Sequence, residues 1–323
     1  MAEQVVLAAR VVRNWAQPLL SHSLKPSEGN MMRPPFRQKP ILTAALLLAP
    51  MVLLLVGFLM VPAIGVLRYS FLDGDYLLDG HGFTLRHYLR FFSDTYYSSV
   101  LWDTFVDGLV VSLICLLIGF PVGYSLARLP PLARRWRTII VIMPLTLSLV
   151  VIVFGWLIVL GRNGLLNSVL VNLGIISSPK TFLFARPAVI LVLVQQFLPF
   201  MILSVMSVVT QIDPVLEHAA SNLRANRLVT FRRVIIPLAT PGILVGFNLV
   251  FVLSISAFIT PRLIGGNRVP MLGSLIYERI MSEFNWPSGA AMAFILFVAG
   301  LGFTAAFNAL AASRFVRGGR HAL

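Results

Sequence analysis

The sequence predicts an all-α integral membrane protein that crosses the bilayer six times. Of its 323 residues, 58% are hydrophobic and 12% are charged, and the mean hydropathy is +0.86, which is more apolar than a soluble domain with one core can use. A hydrocarbon core of roughly 30 Å needs about 20 apolar residues in each helix that crosses it. Six charge-free windows meet that length: Pro40 to Leu67, Gly108 to Ala127, Thr138 to Gly161, Pro187 to Ile212, Val234 to Pro261 and Phe284 to Ser313.

The distribution of charge around these windows indicates their orientation. The net charge is +14, and seventeen of the 26 Lys and Arg residues lie before the first window, between the second and third, between the fourth and fifth, or after the sixth. Eight of the 12 acidic residues lie on the opposite side. Because Lys and Arg collect in the cytoplasmic loops of membrane proteins, both termini are predicted to be cytoplasmic. The same rule explains the basic charge without nucleic-acid binding.

The membrane domain is predicted to cover residues 40–315, between tails at 1–39 and 316–323. The first apolar run is too long for the core of a cleaved signal peptide and should remain as an anchor. Before it, Val5 to Trp15 suits either a basic amphipathic helix on the membrane surface or a disordered tail. Met31 or Met32 is an alternative start site. The six spans are expected at about 41–67, 107–128, 138–160, 187–210, 238–261 and 288–312.

Three shorter features lie within or between these spans. The segment 69–103 interleaves aromatic and charged residues and is expected to lie along the membrane interface rather than to face a substrate. Gly119 and Gly123 flank Pro121 in the second span, a spacing that lets another helix approach closely. The uncharged stretch 163–179 is rich in Asn, Gly and Ser, and we interpret it as a loop with a short interfacial helix.

The segment 211–237, between the fourth and fifth spans, is long, basic and on the predicted cytoplasmic side. Asp213 followed by Pro214 is typical of a helix start. Glu217 falls in the first turn, where a carboxylate is favoured by the positive end of the helix dipole. Two alanines follow and leave the helix surface low enough for a partner to come close. The sequence therefore predicts a short docking helix at the membrane surface.

This segment resembles the EAA loop of ABC importer permeases. The pattern of that loop is Glu-Ala-Ala, three residues, Gly, nine residues, Ile, any residue and Leu-Pro. The matching positions, at the required spacing, are Ala219, Ala220 and Pro237. Val234 and Ile236 are conservative replacements of the motif Ile and Leu.

Two positions depart from the EAA pattern. His218 occupies the Glu position, directly after Glu217, and Arg224 occupies the Gly position. The Gly serves a bend after the short helix, and a residue other than Gly in a left-handed conformation costs roughly 1 kcal/mol. Either the bend is made differently, for example by Asn226, or the docking departs from the family pattern.

Three further segments look like the spermidine/putrescine branch of these permeases: Gly119 to Ala127, Phe258 to Gly266 and Asn285 to Ala290. The resemblance covers about residues 40–315 and implies the type I ABC importer permease fold, in a bacterial inner membrane. Related branches that move opines, aminoethylphosphonate or other small ions share much of the pattern. The implied substrate is a polyamine or a similar small charged solute.

The resemblance also implies partners and a mechanism. Two permease subunits, identical or related, form one pathway, an ABC ATPase dimer grips their EAA helices, and an extracytoplasmic solute-binding protein delivers the substrate. ATP binding then switches the bundle from inward-open to outward-open. ATP and Mg²⁺ are expected on the ATPase, because this sequence has no Gly-x-x-x-x-Gly-Lys-Ser/Thr phosphate loop, and no cofactor or metal is expected on this chain. The residues implied to couple to the ATPase are Glu217, His218, Ala219, Ala220, Leu223, Arg224 and Pro237.

Polar residues within or near the ends of the spans are candidates for lining a solute pathway. Asn248 and Ser256 are eight residues apart and share a helix face, although hydrogen bonding between helices accounts for them equally well. Acidic or aromatic side chains near the outer mouth would suit a polyamine. The candidates are Gln195, Asn248, Ser256, Asp107 and Trp286.

Two other function classes fit the sequence less well. A proton- or sodium-coupled secondary transporter, or a channel subunit, usually needs ionisable groups in the membrane, and these spans contain almost none. A membrane-embedded enzyme would need a cluster of reactive side chains at membrane depth, and all five His residues lie outside the spans. Cys115 is the only cysteine, which excludes a disulfide within the chain and a Cys-rich metal site. The sequence thus favours a permease subunit without enzymatic activity.

Overall fold

The computed structural model of the protein describes residues 40–73 and 82–319. The amphipathic helix or disordered tail expected before residue 40, the alternative start sites and the end of the C-terminal tail lie outside the described residues. The chain divides into a unit that ends at Leu59 and a unit from Met60 to Leu323. The first helix crosses this division.

The described residues are almost entirely helical, and the one strand-like contact among them is a bridge between Leu72 and Phe83. In chain order the helices are α1 (Pro40–Tyr69), α2 (Arg86–Ser93), α3 (Thr95–Ala127), α4 (Pro131–Thr146), α5 (Leu149–Leu160), α6 (Leu165–Asn172), α7 (Arg186–Val209), α8 (Val215–Asn222), α9 (Arg227–Thr230), α10 (Ile236–Ile255), α11 (Leu272–Met281) and α12 (Trp286–Gly319). Two π-helices cover Phe231–Ile235 and Pro261–Gly265, and a 3-10 helix covers Gly266–Arg268.

Six helical segments among the described residues are long and apolar enough to cross a membrane. This confirms the prediction of an all-α protein with six membrane-spanning helices. The segments are Leu48–Tyr69, Thr95–Ala127, Leu149–Asn172, Arg186–Val209, Leu228–Ile255 and Trp286–Ala311.

The second membrane span, α3, begins earlier than predicted, at Thr95 rather than near residue 107. Asp94 caps it, because its Oδ1 accepts a hydrogen bond from the Tyr96 backbone N–H at 2.9 Å. The segment 69–103, expected to lie along the interface, therefore contains the start of α3 and all of α2. Of α2, His87 and Phe91 are buried.

The predicted span 138–160 is broken near its middle. Helix α4 ends at Thr146 and α5 begins at Leu149, with extended backbone at Leu147 and Ser148 between them. A turn at 161–164 then separates α5 from α6, which lies in the stretch 163–179 where a short helix was predicted. The fifth span also ends earlier than predicted, at Ile255 and not near residue 261. Non-helical backbone at membrane depth is stable only where protein or a cavity surrounds it.

Helices α3, α7 and α10 pack against one another, and glycine determines how closely α3 approaches α7. A Cβ atom added to Gly119 would lie 2.7 Å from Cγ of Met201, and one added to Gly123 would lie 2.8 Å from the backbone oxygen of Ile202. Both distances are shorter than van der Waals contact. The small pair predicted from the sequence therefore has α7 as its partner.

Helix α10 makes a similar close contact with α7. A Cβ atom on Gly242 of α10 would lie 2.9 Å from the backbone oxygen of Ser204, and one on Gly246 would lie 2.8 Å from Sδ of Met201. Gly242 and Gly246 are again four residues apart, so they share one face of α10. The middle of α7 thus contacts the glycine faces of both α3 and α10.

We expect Gly123→Ala to destabilise the bundle by about 1–3 kcal/mol, because the new methyl group would press on backbone rather than on a side chain that can move. The measurement is the thermal unfolding midpoint of the purified protein in mild detergent. Gly155→Ala is the matched control, since nothing lies within 4 Å of a Cβ atom at that position. A normal midpoint for Gly123→Ala would show that α3 and α7 are not in this contact.

Candidate functional site in the loop between α7 and α10

The segment 211–237 forms a short helix, α8, with one face turned outward. Asp213 Oδ1 accepts a hydrogen bond from the Val215 backbone N–H at 2.9 Å, which starts the helix one residue after the predicted Pro214. The outward face is apolar at several positions, with Val215 63% and Leu223 84% exposed. Ala219 and His218 are exposed on the same face. The structure therefore has a short helix where the sequence predicts one.

The bend after α8 is made at Arg224 itself. Its φ angle is 58°, in the left-handed region that glycine adopts most easily. The suggestion that Asn226 makes the bend is wrong, because Asn226 instead caps the helix that follows. Its Oδ1 accepts a hydrogen bond from the Val229 N–H at 2.8 Å, which caps the next short helix, α9.

Glu217 points away from the outward face and toward the end of α3. Its Oε1 lies 2.5 Å from Nη2 of Arg128, and its Oε2 accepts a hydrogen bond from the Tyr124 hydroxyl at 2.7 Å. Nη1 of Arg128 also donates to the backbone oxygen of Ile212 at 2.9 Å. One carboxylate and one guanidinium therefore tie the loop to the last turn of α3 at two points.

The second arm of the loop is tied to α3 by aromatic rings. Phe231, the first residue of the π-helix, packs edge-on to Phe120 at 5.2 Å and to Tyr124 at 5.4 Å between ring centroids. Phe120, Tyr124 and Arg128 are spaced four residues apart and form one stripe along α3. Both arms of the loop, before and after α8, contact this stripe.

Pro237 lies in the first turn of α10, directly after the π-helix. A proline has no N–H to donate to the carbonyl four residues earlier, so it disturbs the regular helix ladder. The preceding Ile236 N–H bonds instead to the oxygen of Phe231, five residues back. The proline of the EAA pattern thus coincides with a local change in helix winding.

Asp107 was expected near the outer mouth of the pathway, but its side chain is buried. Its side chain is only 2% exposed, and its Oδ1 accepts a hydrogen bond from Nε of Arg186 at 2.6 Å. Nη2 of the same arginine lies 2.8 Å from Asp103 Oδ1. One arginine at the start of α7 therefore joins two carboxylates of α3, which accounts for Asp107 structurally. Trp286 lies at the start of α12, 37% exposed and apart from this cluster.

Gln195 and Ser256, two of the candidate pathway residues, line one cavity of about 270 Å³. The cavity lies beside the break between α4 and α5 and the end of α10, and its other polar residues are Gln196 and Thr260. These two hydrogen-bond to each other at 2.8 Å. The aromatic residues of the lining are Phe197, Phe200 and Phe258.

Asn248 has an interhelical partner. Its Nδ2 donates to Oδ1 of Asn308 on α12 at 2.7 Å, so the alternative of hydrogen bonding between helices applies to this residue. Among the described residues, no group of three His, Cys, Asp or Glu side chains is placed to hold a metal ion.

Tyr124 and Arg128 are the functional candidates that the sequence reasoning missed. Their spacing of four residues at the end of an apolar span was a usable signal, since it puts a hydroxyl and a guanidinium on one helix face beside the loop.

An all-α membrane bundle with an exposed helix between its fourth and fifth spans has the form of a transport permease. The family model of the "Binding-protein-dependent transport system inner membrane component" matches residues 119–316, which is well over half of the chain. The chain belongs to this family.

Two relatives are both described as "Spermidine/putrescine transport system permease protein PotB". The protein of Haemophilus influenzae is 34% identical over 243 residues, covering 74% of this chain and 83% of the relative. That of Escherichia coli K12 is 35% identical over 243 residues, covering 75% of this chain and 88% of the relative. The chain is therefore a multi-pass permease subunit of an inner membrane, as predicted.

A solved structure shares the fold. It is the crystal structure of a bacterial alginate ABC transporter in complex with an alginate pentasaccharide-bound periplasmic protein, with a TM-score of 0.67 at 20% identity. The match covers 86% of this chain and 96% of the transporter chain. The likeness concerns the fold alone and agrees with the type I permease architecture.

We expect Arg224→Gly to stabilise the bend by about 1 kcal/mol, because glycine adopts a positive φ without the Cβ penalty. Hydrogen exchange of the α8 amides measures this, as slower exchange in the variant. Arg224→Ala is the matched control, because it removes the charge but keeps the Cβ atom. If both variants slowed exchange equally, charge rather than backbone strain would be the cause.

Proposed function

We propose that this chain forms half of the solute pathway of an ATP-driven importer and that a separate ABC ATPase moves it through α8. The observation that carries this proposal is the outward, largely apolar face of α8, with Val215 and Leu223 the most exposed of its apolar side chains. A short helix that offers such a face is suited to a groove on a partner. The residues proposed for this contact are His218, Ala219, Ala220 and Leu223.

The basic residues of the same loop indicate on which side of the membrane α8 lies. The segment 211–237 and the segment 128–137, which includes the start of α4, contain many of the Arg residues of the chain, including Arg134, Arg135, Arg232 and Arg233. The rule for basic loops then puts α8 and both termini in the cytoplasm, where an ATPase can reach it.

Ala219→Trp should reduce the ATPase recovered with the purified complex by about tenfold or more, since a bulky ring on the docking face costs at least the corresponding 1.4 kcal/mol. The measurement is co-purification of the ATPase in mild detergent, quantified against the permease. Leu132→Trp, at an exposed position of α4 outside the loop, is the matched control. Undiminished ATPase binding to Ala219→Trp would remove α8 from the contact.

We propose a polyamine, such as spermidine or putrescine, as the solute. The relatives named above support this, and so does the cavity that contains Gln195 and Ser256, because aromatic rings and amide oxygens attract ammonium groups. The cavity has no carboxylate in its lining. A transported ion must be held weakly enough to leave again, so a neutral lining is compatible with passage.

Phe200→Leu is expected to slow spermidine uptake by about fivefold, which corresponds to the loss of roughly 1 kcal/mol of cation–π attraction. Uptake of labelled spermidine into proteoliposomes that hold the whole complex measures the effect. Phe154→Leu, at an exposed position of α5 outside this cavity, serves as control. Equal uptake by the two variants would place the pathway elsewhere.

A second permease subunit, identical or related, is proposed to pack beside α10 and α12. Oδ1 of Asn248 and Oγ1 of Thr304 are buried and have no hydrogen-bond partner among the described residues. Unsatisfied polar atoms are costly at membrane depth, and a polar side chain from a neighbouring helix would satisfy them.

On the side opposite α8, the proposed partner is an extracytoplasmic solute-binding protein. A polar cavity of about 250 Å³ there is lined by Arg262, Glu278, Arg279 and Glu283. Arg262 pairs with Glu278 at 2.7 Å. Charges of both signs on this surface suit docking by complementary charge.

A further inference from the structure

We infer that Glu217, Tyr124 and Arg128 form a mechanical link that carries the movement of α8 into α3. In this inference Glu217 is a positioning residue within the chain and does not contact the ATPase. The inference rests on the proposed coupling role of α8, and it names the route by which that helix acts on the membrane bundle.

The residues of α8 that contact α3 and those proposed to contact the ATPase lie on different faces of the helix. Glu217 and Ser221, four residues apart, are on the inward face and line a cavity together with Tyr124. His218, in the Glu position of the EAA pattern, is exposed on the outward face. One residue along an α-helix turns the side chain by about 100°. The displacement of the acidic residue by one position therefore moves the carboxylate from the docking face to the α3 face.

Both oxygens of the Glu217 carboxylate contact residues of α3 or its end. One of its oxygens pairs with Arg128 at 2.5 Å and the other accepts from Tyr124 at 2.7 Å. The side chains of Arg128 and Glu217 are only 20% and 23% exposed, so this pair is less weakened by solvent than a surface ion pair.

Open space lies beside the link. A cavity of about 600 Å³ lies between α8 and the rest of the loop, lined by Glu217, Tyr124, Leu228 and Phe231 among others. The side chains between α8 and the rest of the loop are therefore not closely packed. A push on α8 can reach α3 through Glu217, through the Arg128 bond to the Ile212 carbonyl and through the ring contact of Phe231.

Helix α3 is able to pass this movement on. Gly123 lies one residue before Tyr124, and its close approach to Ile202 joins α3 to α7. A displacement at Tyr124 and Arg128 is thus shared by two membrane-spanning helices that have no room to slide separately. Rigid-body motion of packed helices is the form that alternating access takes in such bundles.

The test uses the complete complex of permease, ATPase and solute-binding protein in proteoliposomes, and measures solute imported per ATP hydrolysed. Glu217→Gln removes the charge and Tyr124→Phe removes only the hydroxyl while keeping the ring beside Phe231. Asp213→Asn is the matched control for the first, because it removes one negative charge from the same loop. Ser125→Ala is the control for the second, because it removes a neighbouring hydroxyl that bonds within α3.

We expect both link variants to keep the ATPase bound and to lower import per ATP by about fivefold or more, within the usual range of coupling between sites. The double variant should be no worse than the more affected single variant, since either change breaks the same link. The controls should stay close to wild type. Reversing the pair, with Glu217→Arg and Arg128→Glu together, should restore part of the import per ATP relative to either reversal alone, because it re-forms the ion pair but not the Arg128 bond to the Ile212 carbonyl.

Unchanged import per ATP in both link variants would overturn the inference, as would losses that multiply in the double variant. If the Glu217 variants do not assemble, the result for Tyr124→Phe decides, because its ring contacts are retained. The failure of the proposed function looks different. In that case the wild-type chain itself would bring down no ATPase and import nothing with ATP.

Discussion

The close approach of α7 to both α3 and α10 is the contact on which the remaining structure depends. Four glycines make it possible, because a single methyl group at any of them would meet α7 at less than 3 Å. In a bilayer, where lipid tails compete equally well for apolar side chains, such close backbone packing is a main source of helix association. It fixes the positions of Arg128, at the end of α3, and of Ile212, just beyond α7, and these two residues hold the loop that contains α8.

The number and type of the membrane helices could be predicted from the sequence, since hydropathy over 20 residues is a property of local composition. The start of α3 could not. Asp103 and Asp107 made the segment before residue 107 look like a polar loop, and their partner, Arg186, lies about 80 residues away in the chain. The break at Leu147 and Ser148 was also missed, because both residues occur within a continuous apolar run; the nearest local signal is Pro144, whose missing N–H weakens the helix there.

In the site, too, the features set by neighbouring residues could be predicted, and those set by residues distant in the chain could not. Three features of the loop depend on neighbouring residues alone: the helix start at Asp213, the small surface at the alanines and the bend at residue 224. All three have counterparts in the structure. The orientation of Glu217 depends on Tyr124, which is 93 positions away. The acidic residue was therefore grouped with the docking residues by its place in a motif, whereas packing turns it toward α3. The second glycine pair, Gly242 and Gly246, has the same spacing as the first. This spacing indicated a close helix contact, which a hydropathy profile does not show.

The π-helix before Pro237 has a consequence for the angular relation between the loop and the fifth span. A wide turn holds one more residue than a regular turn, so everything before it is rotated by about 100° about the helix axis relative to a continuous α-helix. With this offset Phe231 contacts the ring stripe of α3. A deletion or insertion of one residue between Phe231 and Ile235 would keep the composition, the hydropathy and the helix content, yet would aim the aromatic ring at lipid or at solvent. Length in this segment is consequently as constrained as residue identity.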